Sequence, residues 1–276
     1  MARIVRNLIL LITLGTVLVP GTGLAGGRIP VFVSIVPQKY FVQQIGGDLV
    51  DVRFMVEPGA SPATYEPKPG QMADLARTKI YFAIGVPFEK VWLKRIAAAN
   101  PGMKVVNTDQ GIGKLGLDPH IWLSPPLVKV QARTILASLQ EIDPARRGVY
   151  EANYRAFTAR IDRLDSDLRK TFEGRQGLKF MVFHPAWGYF AHAYGLKQVP
   201  IEVEGKDPKP SQLKRLIEQA RREGIRVVFV QPQFSTKSAA LVAREIGGQV
   251  AFADPLAENW MANLREVAEK FKVSLK

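Results

Sequence analysis

The chain contains no cysteine and only three histidines among its 276 residues. Without a thiol there is no disulfide framework, no thiolate metal site, no cysteine nucleophile and no acceptor for an N-terminal lipid. A chain of this length can bury an adequate core without such staples. Long apolar runs are also missing, with one exception at the start. There Arg3 and Arg6 precede the run Leu8 to Val19, and small residues follow through Gly23-Leu24-Ala25. A bilayer span needs ~20 apolar residues. This run is shorter and is interrupted by Gly15, Pro20, Gly21 and Gly23, so a signal peptide over residues 1–25 is expected, cleaved near Ala25. An exported protein, free in the periplasm of a two-membrane bacterium, follows from these features.

Acidic residues are in deficit, with 25 against 38 lysines and arginines. Removing Arg3 and Arg6 with the leader lowers the formal charge from +13 to +11. Such a surface suits nucleic acid or anionic lipid, but the basic residues are interleaved with acids, as in "ARIDRLDSDLRK" (159–170). Interleaving and export together favour a solvated basic face and exclude nucleic acid as an expected partner. There is no internal repeat and no low-complexity tract.

Short apolar runs recur at Val31–Val36, Val50–Val56, Ile80–Ile84, Phe180–Phe183, Val227–Val230 and Val250–Phe252, rich in β-branched and aromatic residues. Between them, Pro69–Ala76, Phe88–Ala98, Ser211–Arg222 and Thr236–Ile246 carry apolar residues at helical spacing, with Pro or Ser near their starts. Strands alternating with helices imply parallel sheets covered on both faces. The middle of the chain breaks this alternation. Tyr150, Tyr154, Phe157, Ile161, Leu164, Leu168 and Phe172 step by three or four, the signature of one apolar stripe on a single long helix from near Pro144 to before Gly174. The expected fold is α/β: an N-terminal lobe over 26–143, a linking backbone helix over 144–174, and a C-terminal lobe over 175–276.

Ligands of open parallel sheets bind beyond the carboxyl ends of the strands. Three strand ends in the second half present a polar group followed by proline: His184 after Phe183, Gln231 after Val230, and Asp254 after Ala253. From the first half, "LDPHIWLSPP" (117–126) offers His120 in a proline-stiffened segment. Two imidazoles and a carboxylate suit a borderline divalent ion such as Zn²⁺, and Mn²⁺ also accepts them. Each residue alone has an ordinary structural use. A lone histidine is commonly a hydrogen-bonded structural residue, Asp254 can cap the helix that follows, and Gln231 can serve a turn. His192, two turns beyond His184, reads as a surface or packing histidine.

With these residues in place, the chain resembles the metal-binding receptors of ABC importers for zinc and manganese. The resemblance rests on "GASPATYEPKPGQMADLARTKIYFAIG" (59–85), "DPHIWLSP" (118–125), "FHPAWGYFAHAYGL" (183–196), "VVFVQPQFS" (227–235) and "ADPLAENW" (253–260), in the family's order. It implies two lobes joined by a rigid helix and His120, His184 and Asp254 as metal ligands, with Gln231 able to coordinate through its amide oxygen. It also implies a membrane permease driven by a cytoplasmic ATPase as partner. Two positions depart from the family pattern. Ala63 stands where the family has a ligating histidine, and Gln231 where glutamate is common. The first removes a nitrogen donor and the second a negative charge, so weaker binding is expected. Glu66, beside Ala63, is ordinary for the family. The His-rich acidic loop of many zinc-specific relatives is absent, yet Zn²⁺ remains the expected cargo ahead of Mn²⁺.

Two other functions compete: the same fold with a metal chelate or another small solute, or with binding lost, and a zinc-dependent hydrolase with one open coordination position. The hydrolase has little support, because there is no HExxH, no second histidine at helical spacing from His120 and no evident general base. Ser124 and Ser235 lack a GxSxG context. No enzymatic activity is expected, and a monomer is the simplest state.

Overall fold

The computed structural model describes residues 27–203 and 205–275. The expected signal peptide lies outside them. Among the described residues, no helix is long and apolar enough to cross a membrane.

Two four-stranded sheets, each wholly parallel, form the scaffold. The first contains β1 (Ile29–Val33), β2 (Val50–Phe54), β3 (Ile80–Ala83) and β4 (Lys104–Asn107), arranged β2-β1-β3-β4. The second repeats the order with β5 (Lys179–Val182), β6 (Lys197–Pro200), β7 (Val227–Val230) and β8 (Gln249–Phe252), arranged β6-β5-β7-β8. In both sheets the central strands are almost wholly apolar, as burial on two faces requires, with Lys179 at the start of β5 the one charged residue among them. β3, "IYFA", is buried at all four positions. The two strands absent from the apolar runs of the sequence, β4 ("KVVN") and β6 ("KQVP"), are sheet edges, where lysine and proline are tolerated.

Helices connect the strands: α1 (Val36–Gly46), α2 (Pro69–Asp74) and α3 (Pro87–Ala99) in the first lobe, with α4 (Pro125–Ile142) following β4. The second lobe carries α6 (Gly188–Ala193), α7 (Pro210–Arg222), α8 (Lys237–Glu245) and α9 (Trp260–Ser274). Between the lobes runs α5 (Arg147–Thr171), preceded by a 3₁₀ turn at Pro144–Arg146. Its 25 residues extend about 38 Å at ~1.5 Å each. The stripe Tyr150, Phe157, Ile161, Leu164 and Leu168 is buried along its length. It packs on α4 and α1 from the first lobe and on α9 from the second, so a single helix braces both.

The C-terminal helix ties the lobes further. Near its start, Trp260 meets Phe41 of α1 edge-on, with ring centroids 5.1 Å apart. Near its end, Phe271 packs on Phe180 and Phe229 of the second sheet at 4.2 and 4.5 Å. One hydrophobic core therefore runs through both lobes, with a smaller cluster behind the second sheet around Met181, Val228 and Val242. A shared core of this kind resists wide hinge motion, unlike the polar interface of loosely joined domains.

One residue in this core is out of character. Gln131 of α4 is fully buried, and neither its amide oxygen nor its nitrogen has a hydrogen-bond partner among the described residues. Leaving such a group unpaired costs ~1–3 kcal/mol. Gln131→Leu is expected to raise the melting temperature by several degrees, at about 2–4 °C per kcal/mol for chains near this size. An unchanged or lower value in a thermal melt would contradict the account of this position.

Candidate metal centre

In each sheet the chain order reverses between the two central strands, and a crevice opens beyond their carboxyl ends. His184 stands one residue beyond the end of β5, after Phe183, at this point in the second lobe, and Gln231 directly follows β7 beside it. The helix after His184 does not begin at Pro185. It starts at Gly188, and residues 184–187 form a turn that carries the imidazole into the cleft. His120 arrives from the first lobe. The buried 3₁₀ turn Ile121–Leu123 follows it, and α4 begins at Pro125. An apolar anchor on one side and proline on both hold this loop rigidly.

The two imidazoles meet across the cleft, with Nε2 of His120 3.4 Å from Nε2 of His184. Behind each ring stands a carboxylate. Asp118 Oδ1 lies 2.6 Å from His120 Nδ1 and also accepts from the His120 main-chain N–H at 2.9 Å. Glu202 Oε2 lies 2.7 Å from His184 Nδ1. A carboxylate accepts, so each Nδ1 carries a proton and each ring turns its Nε2 towards the other. Nε2 is thus the atom that each imidazole has left to offer a shared cation. Burial holds the His120 pKa below the usual imidazole value, against the opposing pull of Asp118, so the ring remains neutral at neutral pH.

Surrounding residues fix both rings. Phe234 stacks on His184 at 4.7 Å with an interplanar angle of 22°, and Trp122 lies 5.0 Å from the His120 ring. Trp122 is itself bound to the second lobe: its Nε1–H donates to the Pro255 carbonyl at 2.7 Å, and its own carbonyl accepts from Trp260 Nε1–H at 2.6 Å. Gly188 leaves room for the Asp118 carboxylate, because a Cβ there would collide with Asp118 Oδ2. Tyr189 Oη reaches the same loop, donating to the Asp118 carbonyl at 3.2 Å and accepting from Leu115 N–H at 2.9 Å.

A cavity of about 100 Å³ opens at this point, lined by His120 and His184 together with Ala63, Pro87, Gln233 and Phe234 among others. It has room for an ion and more than one water. Ala63 lies on its wall and brings no donor atom to it.

The other two expected ligands are engaged elsewhere. Gln231 is fully buried, and its amide is paired at both ends with the main chain of His184: Oε1 accepts from His184 N–H at 3.2 Å and Nε2 donates to the His184 carbonyl at 2.8 Å. It acts like one more rung between β5 and β7 and sets where His184 stands. Asp254 Oδ1 accepts from Leu256 N–H at 2.9 Å and from Gln233 Nε2 at 3.0 Å. Among the described residues, no three His, Cys, Asp or Glu side chains gather as a group that could hold an ion. The structure thus brings His120 and His184 together and does not assemble Asp254 with them. His192 is exposed on α6, and Glu66 is exposed outside the cavity lining. Glu202, which the sequence reading did not single out, follows β6, and the only signal for it lay in recognising that short edge strand.

Comparison with known proteins agrees with this architecture. The sequence matches the family model described as zinc-uptake complex component A, periplasmic, over residues 31–273. The fold is similar to a crystal structure of ZnuA, with a TM-score of 0.88 and 47% identity, covering 90% of this chain and 99% of that one. The chain is 28% identical over 254 residues to the high-affinity zinc uptake system protein ZnuA of Bacillus subtilis (strain 168), covering 84% of this chain and 79% of that protein. It is 25% identical over 242 residues to the manganese ABC transporter substrate-binding lipoprotein PsaA of Streptococcus anginosus, covering 78% of this chain and 77% of that protein. With nearly its whole described length matched, the chain belongs to the family of the periplasmic component A of zinc-uptake complexes.

Proposed function

We propose that this protein is a periplasmic receptor that captures one divalent transition metal, Zn²⁺ ahead of Mn²⁺, between its lobes and hands it to an ABC-type membrane permease driven by a cytoplasmic ATPase. The observation that carries this reading is the Nε2-to-Nε2 distance of 3.4 Å. Two nitrogens bound tetrahedrally at 2.0–2.1 Å from Zn²⁺ lie about 3.3–3.4 Å apart. The imidazoles therefore stand at the spacing that a common ion requires, with no rearrangement.

Charge supports the same reading. Two neutral imidazoles leave a divalent ion uncompensated, but Asp118 and Glu202 stand behind them as anions, and together they balance a charge of +2. The compensation that one further carboxylate ligand would give is supplied from the outer shell. This arrangement suits carriage better than catalysis. Both carboxylates nearest the imidazoles are committed to Nδ1, which leaves neither as a general base for an activated water. The chain acts as a monomeric carrier with no reaction of its own.

Equilibrium dialysis of the purified chain against Zn²⁺, followed by elemental analysis, is expected to give one ion per chain. A folded sample that retains neither Zn²⁺ nor Mn²⁺ would contradict the proposal. The outer carboxylates give a second expectation. Glu202→Gln keeps the shape but removes the charge behind His184, and a change of this kind costs about 10–100-fold in metal affinity. Competition with a chromophoric chelator measures it, and wild-type affinity in this variant would rule out the role given to Glu202.

A further inference from the structure

Gln233 carries an unexplained atom. It lines the cavity between the lobes, and its Oε1 is buried without a hydrogen-bond partner among the described residues. The other end of the same amide is fixed, because Nε2 donates to Asp254 Oδ1 at 3.0 Å. A carboxylate accepts only, so this bond decides which way the amide faces and leaves the oxygen as the free end. Asp254 is held in turn by Leu256 N–H at 2.9 Å and cannot readily swing away. A buried carbonyl oxygen with no partner costs ~1–3 kcal/mol. Packing alone does not explain that cost at a position bordering a largely apolar cleft whose polar groups are chiefly His120 and His184.

We propose that Gln233 is a further ligand of the cargo: its amide oxygen coordinates the ion held by His120 and His184, and Asp254 serves as the positioning residue that aims it. The inference rests on the reading of the cleft as a metal site and adds a donor to it. An amide oxygen is a recognised donor to harder divalent cations. Donation from Nε2 to an anionic carboxylate polarises the amide and makes its oxygen a stronger donor. Neutrality also fits, because Asp118 and Glu202 already balance the ion's charge and another anion in the cavity would exceed it. Asp254 thereby reaches the cargo through Gln233, without joining the imidazoles itself.

The test is a double-mutant cycle on the full-length chain, with Zn²⁺ affinity read by competition with a chromophoric chelator and the metal-free melting temperature measured beside it. Gln233→Leu is expected to weaken Zn²⁺ binding by about tenfold or more while leaving the metal-free melting temperature unchanged or slightly raised. Gln233→Met, which keeps the length of the side chain, is expected to do the same should the leucine variant fold poorly. Asp254→Asn is expected to weaken binding in the wild-type background and to cost nothing further in the Gln233→Leu background. Wild-type affinity in both Gln233 variants overturns the proposal while leaving the two-histidine site intact. An equal cost of Asp254→Asn in both backgrounds overturns it as well, because Asp254 would then act without Gln233. A wild-type chain that binds neither Zn²⁺ nor Mn²⁺ sinks the metal reading itself, and this inference with it.

Discussion

Replacing either His120 or His184 with alanine is expected to abolish measurable Zn²⁺ retention. Losing an outer-shell partner costs about 10–100-fold in affinity, and removing an inner nitrogen must cost more than that. The cavity lining holds no third imidazole beside His120 and His184, and Ala63 on its wall offers no donor atom. His192→Ala provides the control, because that ring is exposed on α6 and outside the cavity. Dialysis and elemental analysis of the three variants should therefore give near-zero, near-zero and wild-type metal content. Retention of one ion per chain by either of the first two would mean that the ion sits elsewhere.

The second large effect concerns Trp122. Its side chain is 1% exposed and is hydrogen-bonded to the second lobe, while its carbonyl takes a second bond from Trp260. Truncating a buried tryptophan to alanine costs about 3–5 kcal/mol through lost burial and the cavity left behind. Trp122→Ala also strips the Pro255 carbonyl of its donor. A fall in melting temperature on the order of 10 °C is expected for the metal-free chain. Trp122→Phe, which keeps most of the ring but loses the N–H, should fall by less. Metal affinity should drop as well in the alanine variant, because Trp122 flanks His120 and helps set the imidazole separation. A loss of less than about 1 kcal/mol would show that the lobes are held without this contact.

The linking helix was the easiest feature to read in the sequence, because its apolar stripe persists over many turns and no strand mimics that period. The central strands were legible for a related reason: burial on both faces makes them continuous apolar runs. Among the edge strands, β2 and β8 fell within such runs, but β4 and β6 carry no such mark. "KQVP" offers one buried residue, Val199, between lysine and proline, and it passes for a loop. Overlooking β6 had a functional consequence, because Glu202 follows it and fixes the His184 ring. His184, Gln231 and Asp254 then looked like three consecutive strand ends facing one cleft. Position at a strand end was readable, but side-chain direction was not. Gln231 turns back onto the His184 main chain, and one carboxylate oxygen of Asp254 accepts from both Gln233 and Leu256. Both choices depend on local geometry that residue type alone does not encode. The juxtaposition of His120 and His184 required the whole interlobe core to form; the strand-end reading offered the two imidazoles together as candidates, and the family resemblance implied that both are ligands.

The most direct measurement is an anomalous-scattering map from crystals of the wild-type chain grown with Zn²⁺, recorded on both sides of the zinc absorption edge. The account predicts one strong peak in the interlobe cavity, about 2.0–2.1 Å from Nε2 of both His120 and His184, with Asp118 and Glu202 still bonded to the Nδ1 atoms. A peak bound to only one of these imidazoles, or a fully loaded crystal with no peak between them, would contradict it.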